Sequence, residues 1–133
     1  MSGETNLEKI LKNLDPYIVK ESFVFMTSDA EPANLFKTLN PIATFMEDEG
    51  LTLVITQHCA DKNDIKYDSV FKCISLGVHS SLESYGLIST ISNELTKSNI
   101  STNVFSGYFH DHIFVESNKV NKALKVISSI SIF

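Results

Sequence analysis

The 133-residue chain has no tryptophan, only two cysteines and three prolines, and just five glycines. Each scarcity excludes something. With so few glycines, neither the phosphate-cradling loop nor the dinucleotide-binding glycine pattern occurs. Cys59 and Cys73, without a secretory signal ahead of them, read as reduced thiols of a core and not as a disulfide. Basic residues are short as well. Eleven Lys and Arg against sixteen Asp and Glu leave a net charge of -5, so no excess of Lys and Arg exists to neutralise a phosphate backbone, and nucleic acid is not an expected partner. The N-terminal stretch carries Glu4, Glu8, Lys9 and Lys12 and lacks the apolar core of a signal peptide. No run approaches the ~20 apolar residues that cross a bilayer. The expected location is the cytoplasm, with no membrane partner.

What is present is the balance of a folded domain: 43% hydrophobic and 20% charged residues. The length suits one ordinary core, or two very small ones that lean on each other. Thr5 and Glu8 have the spacing of a capping box before Leu7, Ile10, Leu11 and Leu14, a helical stripe that Pro16 stops. Phe23 to Met26 reads as a short buried strand, and Ser28 to Leu39 as a weak helix with Pro32 in its first turn. Ile42 to Phe45 and Leu51 to Ile55 form a hairpin around Glu47-Asp48-Glu49-Gly50, followed by a short polar helix or turn over Asp61 to Tyr67.

The pattern then repeats. Val70, Ile74, Leu76 and Val78 alternate as a strand does, and after a loop the residues Leu87, Ile88, Ile91 and Leu95 share one face of a helix ending near Asn99. Val104 to Phe109 and Ile113 to Val115 predict a second hairpin around His110-Asp111-His112. Val120, Ala123, Leu124 and Ile127 mark the last helix, and the terminal Ser-Ile-Ser-Ile-Phe either extends it or adds a strand. Strand, helix, hairpin, helix therefore occurs twice, which is an internal duplication by order of elements. Such an order packs as an antiparallel sheet with two helices on one face, the ferredoxin-like α+β arrangement. The uncovered sheet needs a partner, nearest in the other half, and a homo-oligomer is expected. Either half can claim the strand at Val70.

Four stretches carry a resemblance: Leu39-Asn-Pro-Ile-Ala-Thr-Phe, Glu47-Asp-Glu-Gly-Leu-Thr-Leu-Val, Val78-His-Ser-Ser-Leu-Glu-Ser-Tyr-Gly-Leu and Gly107-Tyr-Phe-His-Asp-His-Ile-Phe-Val. Together they resemble uncharacterised bacterial ACT-domain proteins over nearly the whole chain, and are similar to the tandem ACT segment of aspartate kinases. The resemblance implies two tandem ACT-like βαββαβ halves, residues 1–68 with the leading helix and residues 69–133. It implies regulation by a small ligand, typically an amino acid, bound where a unit's first strand turns into its first helix and at the interface between paired units. Here that place is His79, Ser80, Ser81 and Leu82, continuing through Ser84, Tyr85, Gly86 and Leu87, with Asn103 at the start of the next strand.

Physical chemistry points to the same loop. A helix N-terminus offers unpaired N–H groups and partial positive charge to a carboxylate, and the serines add hydroxyls. The structural alternative is that Ser81 or Ser84 caps the helix, Gly86 permits close packing and Leu82 plugs the core. Tyr85 and Tyr108 are candidates for the rim.

Other chemistry has weaker support. His110 and His112 share a face of a regular strand, but two imidazoles do not complete a metal site, and as a turn residue Asp111 bonds its own backbone. Cys73 sits mid-strand, where burial hides a thiol and raises its pKa. Ser80 and Ser81 lack a nucleophile elbow and an acid partner. The acidic run at 47–49 reads as a solvated hairpin tip. No cofactor, metal or catalytic residue is expected. The competing readings are a docking module without a ligand, and a small enzyme that would need His79, His110 and His112 to converge.

Overall fold

The computed structural model describes residues 3–130. The chain forms two compact units, one from residues 20–71 and one from the segments flanking it, up to Val19 and from Lys72 onward.

In the unit of residues 20–71, β1 (Pro16–Ser28) enters at Lys20 and is followed by α2 (Pro32–Leu39), β2 (Ala43–Glu47), β3 (Gly50–Thr56) and α3 (Gln57–Lys62); α1 (Leu7–Lys12) precedes β1 and belongs to the flanking unit. Strand β3 is central and antiparallel to both neighbours, with Thr52 opposite Phe45 of β2 and Ile55 opposite Val24 of β1. Its alternate residues Leu51, Leu53 and Ile55 face the core, where Val24, Leu39 and Ala60 join them. Pro32 opens α2, where its missing N–H has no helical partner to lose. The acidic tip between β2 and β3 is exposed, and the Glu47 carboxylate accepts a bond from the Thr52 hydroxyl.

Two elements here differ from the sequence expectations. Helix α3 starts at Gln57, directly on the end of β3, and not at Asp61. The Thr56 hydroxyl accepts from the Cys59 amide at 3.1 Å, capping the helix, and Ala60 is fully buried on its inner side. Strand β1 is also far longer than Phe23 to Met26. The polar triplet Lys20-Glu21-Ser22 interrupts its apolar pattern without ending the strand.

The flanking unit holds α1, the start of β1, β4 (Phe71–Leu76), α4 (Leu87–Lys97), β5 (Asn103–Ser106), β6 (Asp111–Glu116) and α5 (Val120–Ile130), the last entered through a 3-10 turn at Ser117–Lys119. Its strand order is β1-β4-β6-β5, with β5 and β6 an antiparallel hairpin. Ile74 and Leu76 of β4 and Ile113 and Val115 of β6 line the core face of the sheet. Against them pack Leu87, Ile91 and Leu95 of α4 and Val120, Ala123 and Ile127 of α5, the stripes legible in the sequence. Ile10 and Leu14 are buried in the same core, so the leading helix belongs with the C-terminal unit and not with the residues that directly follow it. The strand near Val70 belongs to this unit too, from Lys72 on.

Asn6, not Thr5, caps α1: its Oδ1 accepts from the Lys9 amide at 3.0 Å, while Glu8 pairs with Lys12. Ser129 and Ile130 continue α5, and the end of the terminal Ser-Ile-Ser-Ile-Phe lies outside the described residues.

Candidate functional site

Residues 77–86 carry the chain from β4 to α4, and the N-terminal segment lies alongside them. The Glu4 amide donates to His79 O at 2.9 Å and the Ser81 amide donates to Glu4 O at 2.8 Å, a parallel bridge between Glu4 and Ser80. Gly3 makes the approach possible, because a Cβ there would stand 2.5 Å from the Ser81 nitrogen. The Asn6 amide, with that of Thr5, donates to the Glu4 carboxylate and holds it below its usual range.

Past this bridge the loop folds on itself. The Ser84 amide and hydroxyl both donate to Ser81 O, at 3.0 and 2.6 Å, and Ser81 Oγ accepts from the Glu83 amide. Neither serine caps α4. The N-cap is Gly86, with φ 97, and it supplies no side-chain bond. Leu7 of α1 packs where a Cβ on Gly86 would be, 2.8 Å away, so the close-packing role read for this glycine is present. The first amides of α4 are therefore left without a capping side chain.

A cavity of about 190 Å³ opens between this loop, the first turn of α4 and the β5–β6 turn. Of the loop residues proposed from sequence, Ser80, Ser81, Leu82, Ser84, Gly86 and Leu87 line it. Three do not. His79 points its ring toward Phe109 and His110, at centroid distances of 5.3 and 6.3 Å; Tyr85 is 85% exposed and turned outward; Asn103 is exposed in the hairpin, opposite Phe114. Tyr108 is likewise outside the lining. Leu82 is 58% exposed and plugs no core.

Sequence reasoning missed the opposite wall. Ile88 and Ser89 of α4, Ser106 and Gly107 of the hairpin, and Asp111 also line the cavity. Asp111 is not a turn residue bonding its own backbone: it is the first residue of β6, 7% exposed, and its Oδ2 accepts from the Ser80 hydroxyl at 3.0 Å. The signal available was strand alternation, which turns Asp111 away from His112.

His112 lies on the other face of β6, its Nδ1 2.7 Å from Ser75 Oγ, and burial, then the nearby His110, lowers its pKa against an opposing effect of Asp111. His110 meets Val78 O instead. The histidines do not converge, and among the described residues no group of three or more His, Cys, Asp or Glu is placed to hold a metal. Both cysteines are free thiols; Cys73 is fully buried, which pushes its pKa up. No helix among the described residues is long and apolar enough to cross a membrane.

Two βαββα units with helices packed on their sheets make this a tandem ferredoxin-like α+β protein. The chain belongs to the ACT-domain family: matches to the ACT domain cover residues 2–72 and residues 68–129. A Vibrio cholerae protein of unknown function, described as a possible transport protein, is 37% identical over 98% of this chain and 99% of its own, with a TM-score of 0.86. Aspartate kinase of Clostridium acetobutylicum, an allosteric enzyme, matches 86% of this chain with 34% of its own at 16% identity and TM-score 0.66. The regulatory subunit of aspartate kinase from Thermus thermophilus matches 86% of this chain with 95% of its own at 6% identity and TM-score 0.65. At such identities these two structures show a shared fold. No curated protein matches the sequence.

Proposed function

We propose that the protein is a regulatory module without catalytic activity that binds a small metabolite, an amino acid, in the cavity at the start of α4. One observation carries this reading: in an ACT fold, the uncapped N-terminus of α4 opens into a cavity lined by serine hydroxyls and a buried carboxylate. The cavity is below the roughly 300–1,000 Å³ of sites for drug-sized ligands and suits a molecule of a few heavy atoms. Ser80, Ser81, Ser84, Gly86 and Leu87 are the loop residues that contact the ligand in this reading. The regulatory subunit among the structural neighbours supports the assignment of role, by fold. The reading also takes the protein to be cytoplasmic and to act by associating with itself or with an enzyme.

A second reading, a docking module without a ligand, is favoured by the edge strand β2, where Phe45 and Met46 are 65% and 62% exposed. Leu82 and Tyr85, which would fill the cavity of such a module, leave it open.

The test is a thermal-shift screen against the twenty amino acids and common metabolites at millimolar concentration. A ligand that binds only the folded state raises the midpoint by mass action. A selective rise with one amino acid, abolished by Ser89→Asp, which sets a negative charge on an exposed lining position at the first turn of α4, is the expected result. No rise with any compound moves the assignment to the docking module.

A further inference from the structure

Resting on the proposed amino-acid site, we infer that Asp111 is its ammonium-selecting residue, so that the cavity takes a small zwitterion and refuses the corresponding hydroxy acid. Asp111 is the one ionisable side chain in the lining. It is 7% exposed and forms no ion pair among the described residues. A carboxylate has about four acceptor sites, and the Ser80 hydroxyl fills one of them through Oδ2. An arriving ammonium can take the remaining acceptor sites with charge-assisted hydrogen bonds.

The opposite polarity lies across the same small space. Leu87, Ile88 and Ser89, in the first turn of α4, border the cavity, and Gly86 gives their amides no capping oxygen. These amides and the helix dipole suit a carboxylate. A zwitterion satisfies both ends within about 190 Å³. A hydroxy acid brings the carboxylate but sets a neutral hydroxyl against Asp111, leaving the buried charge unpaired. With Ser81, Leu82, Ser84 and Ser106 on the remaining wall of so small a space, the side chain of the ligand is short.

The other unit does not reproduce this arrangement. The cavity between its β1–α2 connection and its β2–β3 turn is lined by Asp29, Glu47, Asp48 and Glu49, which repel a carboxylate.

The experiment is titration calorimetry of the whole chain with matched pairs: glycine and glycolate, L-alanine and L-lactate, L-serine and L-glycerate. At least one amino acid should bind, with its hydroxy acid weaker by about tenfold or more, the size of one hydrogen bond to a charged group. Asp111→Asn, nearly isosteric, should bring the two affinities together. Ser80→Ala, which keeps the carboxylate, should preserve the preference for the amine. Equal binding of a pair by the wild type, an unchanged preference in Asp111→Asn, or silence of all three pairs overturns the inference. If a larger amino acid still binds, the proposed function survives that failure; only silence of all twenty amino acids removes both. A purely structural Asp111 would lower the melting temperature of Asp111→Asn and leave the preference intact.

Discussion

The hydroxyl of Ser80 donates to Oδ2 of Asp111 at 3.0 Å, with both residues buried. This bond ties the loop after β4 to the start of β6, so one contact closes a wall of the cavity and anchors the loop to the sheet.

Removing it should be felt without any ligand. Ser80→Ala leaves Asp111 without its side-chain donor, and a hydrogen bond to a charged group is worth about 1.5–3 kcal/mol. Urea unfolding of the ligand-free protein should show a loss in that range. A midpoint unchanged from wild type would mean that water replaces the hydroxyl at no cost.

Gly86 should not tolerate a side chain. Its φ of 97 lies where L-residues are strained, which costs about 1–3 kcal/mol, and a Cβ would also press on Leu7. Gly86→Ala should therefore lower the melting temperature. The backbone accounts for most of the loss, since the Leu7 methyl can move aside. Trimming that contact in the double variant Gly86→Ala with Leu7→Ala should not restore the midpoint.

Stability should fall on mild acidification. Burial of His112 lowers its pKa from the ordinary 6.5, so near and below that value the unfolded chain binds a proton that the folded chain resists. Stability thus rises with pH through the window between the lowered folded pKa and 6.5, and is lost as pH falls through it. Glu4 acts lower: its folded pKa is depressed below 4.5, so its contribution is present above that value and lost as pH falls further. Denaturant midpoints between pH 7 and 5 should decline in the wild type and flatten in His112→Asn. An identical slope in the two proteins would assign the effect to other groups.

Much of the fold was legible because its signals are local. The helical stripe Leu87, Ile91, Leu95 and the hairpin around Glu47 to Gly50 depend on residues a few positions apart, and both appear where periodicity and turn chemistry put them. The start of α3 was missed because Thr56 both ends β3 and caps the helix, so no turn residues separate the two elements. The run of β1 through Lys20 to Ser22 was missed because those polar residues carry no apolar alternation. The site divides in the same way. Its loop wall was readable as a strand-to-helix turn rich in serine, while Ser106, Gly107 and Asp111 come from a hairpin that begins about twenty residues further along the chain.

By itself the sequence determined the order of elements, their duplication and the faces they bury. Those properties follow from spacing along the chain, which periodicity and capping express directly. Only the tertiary structure decided that α1 packs with the C-terminal unit, that Gly86 and not a serine heads α4, and that Asp111 turns inward to Ser80. The physical reason is common to all three. Each depends on which distant residue fills a space or accepts a bond, and no pattern of neighbours in the chain encodes that choice.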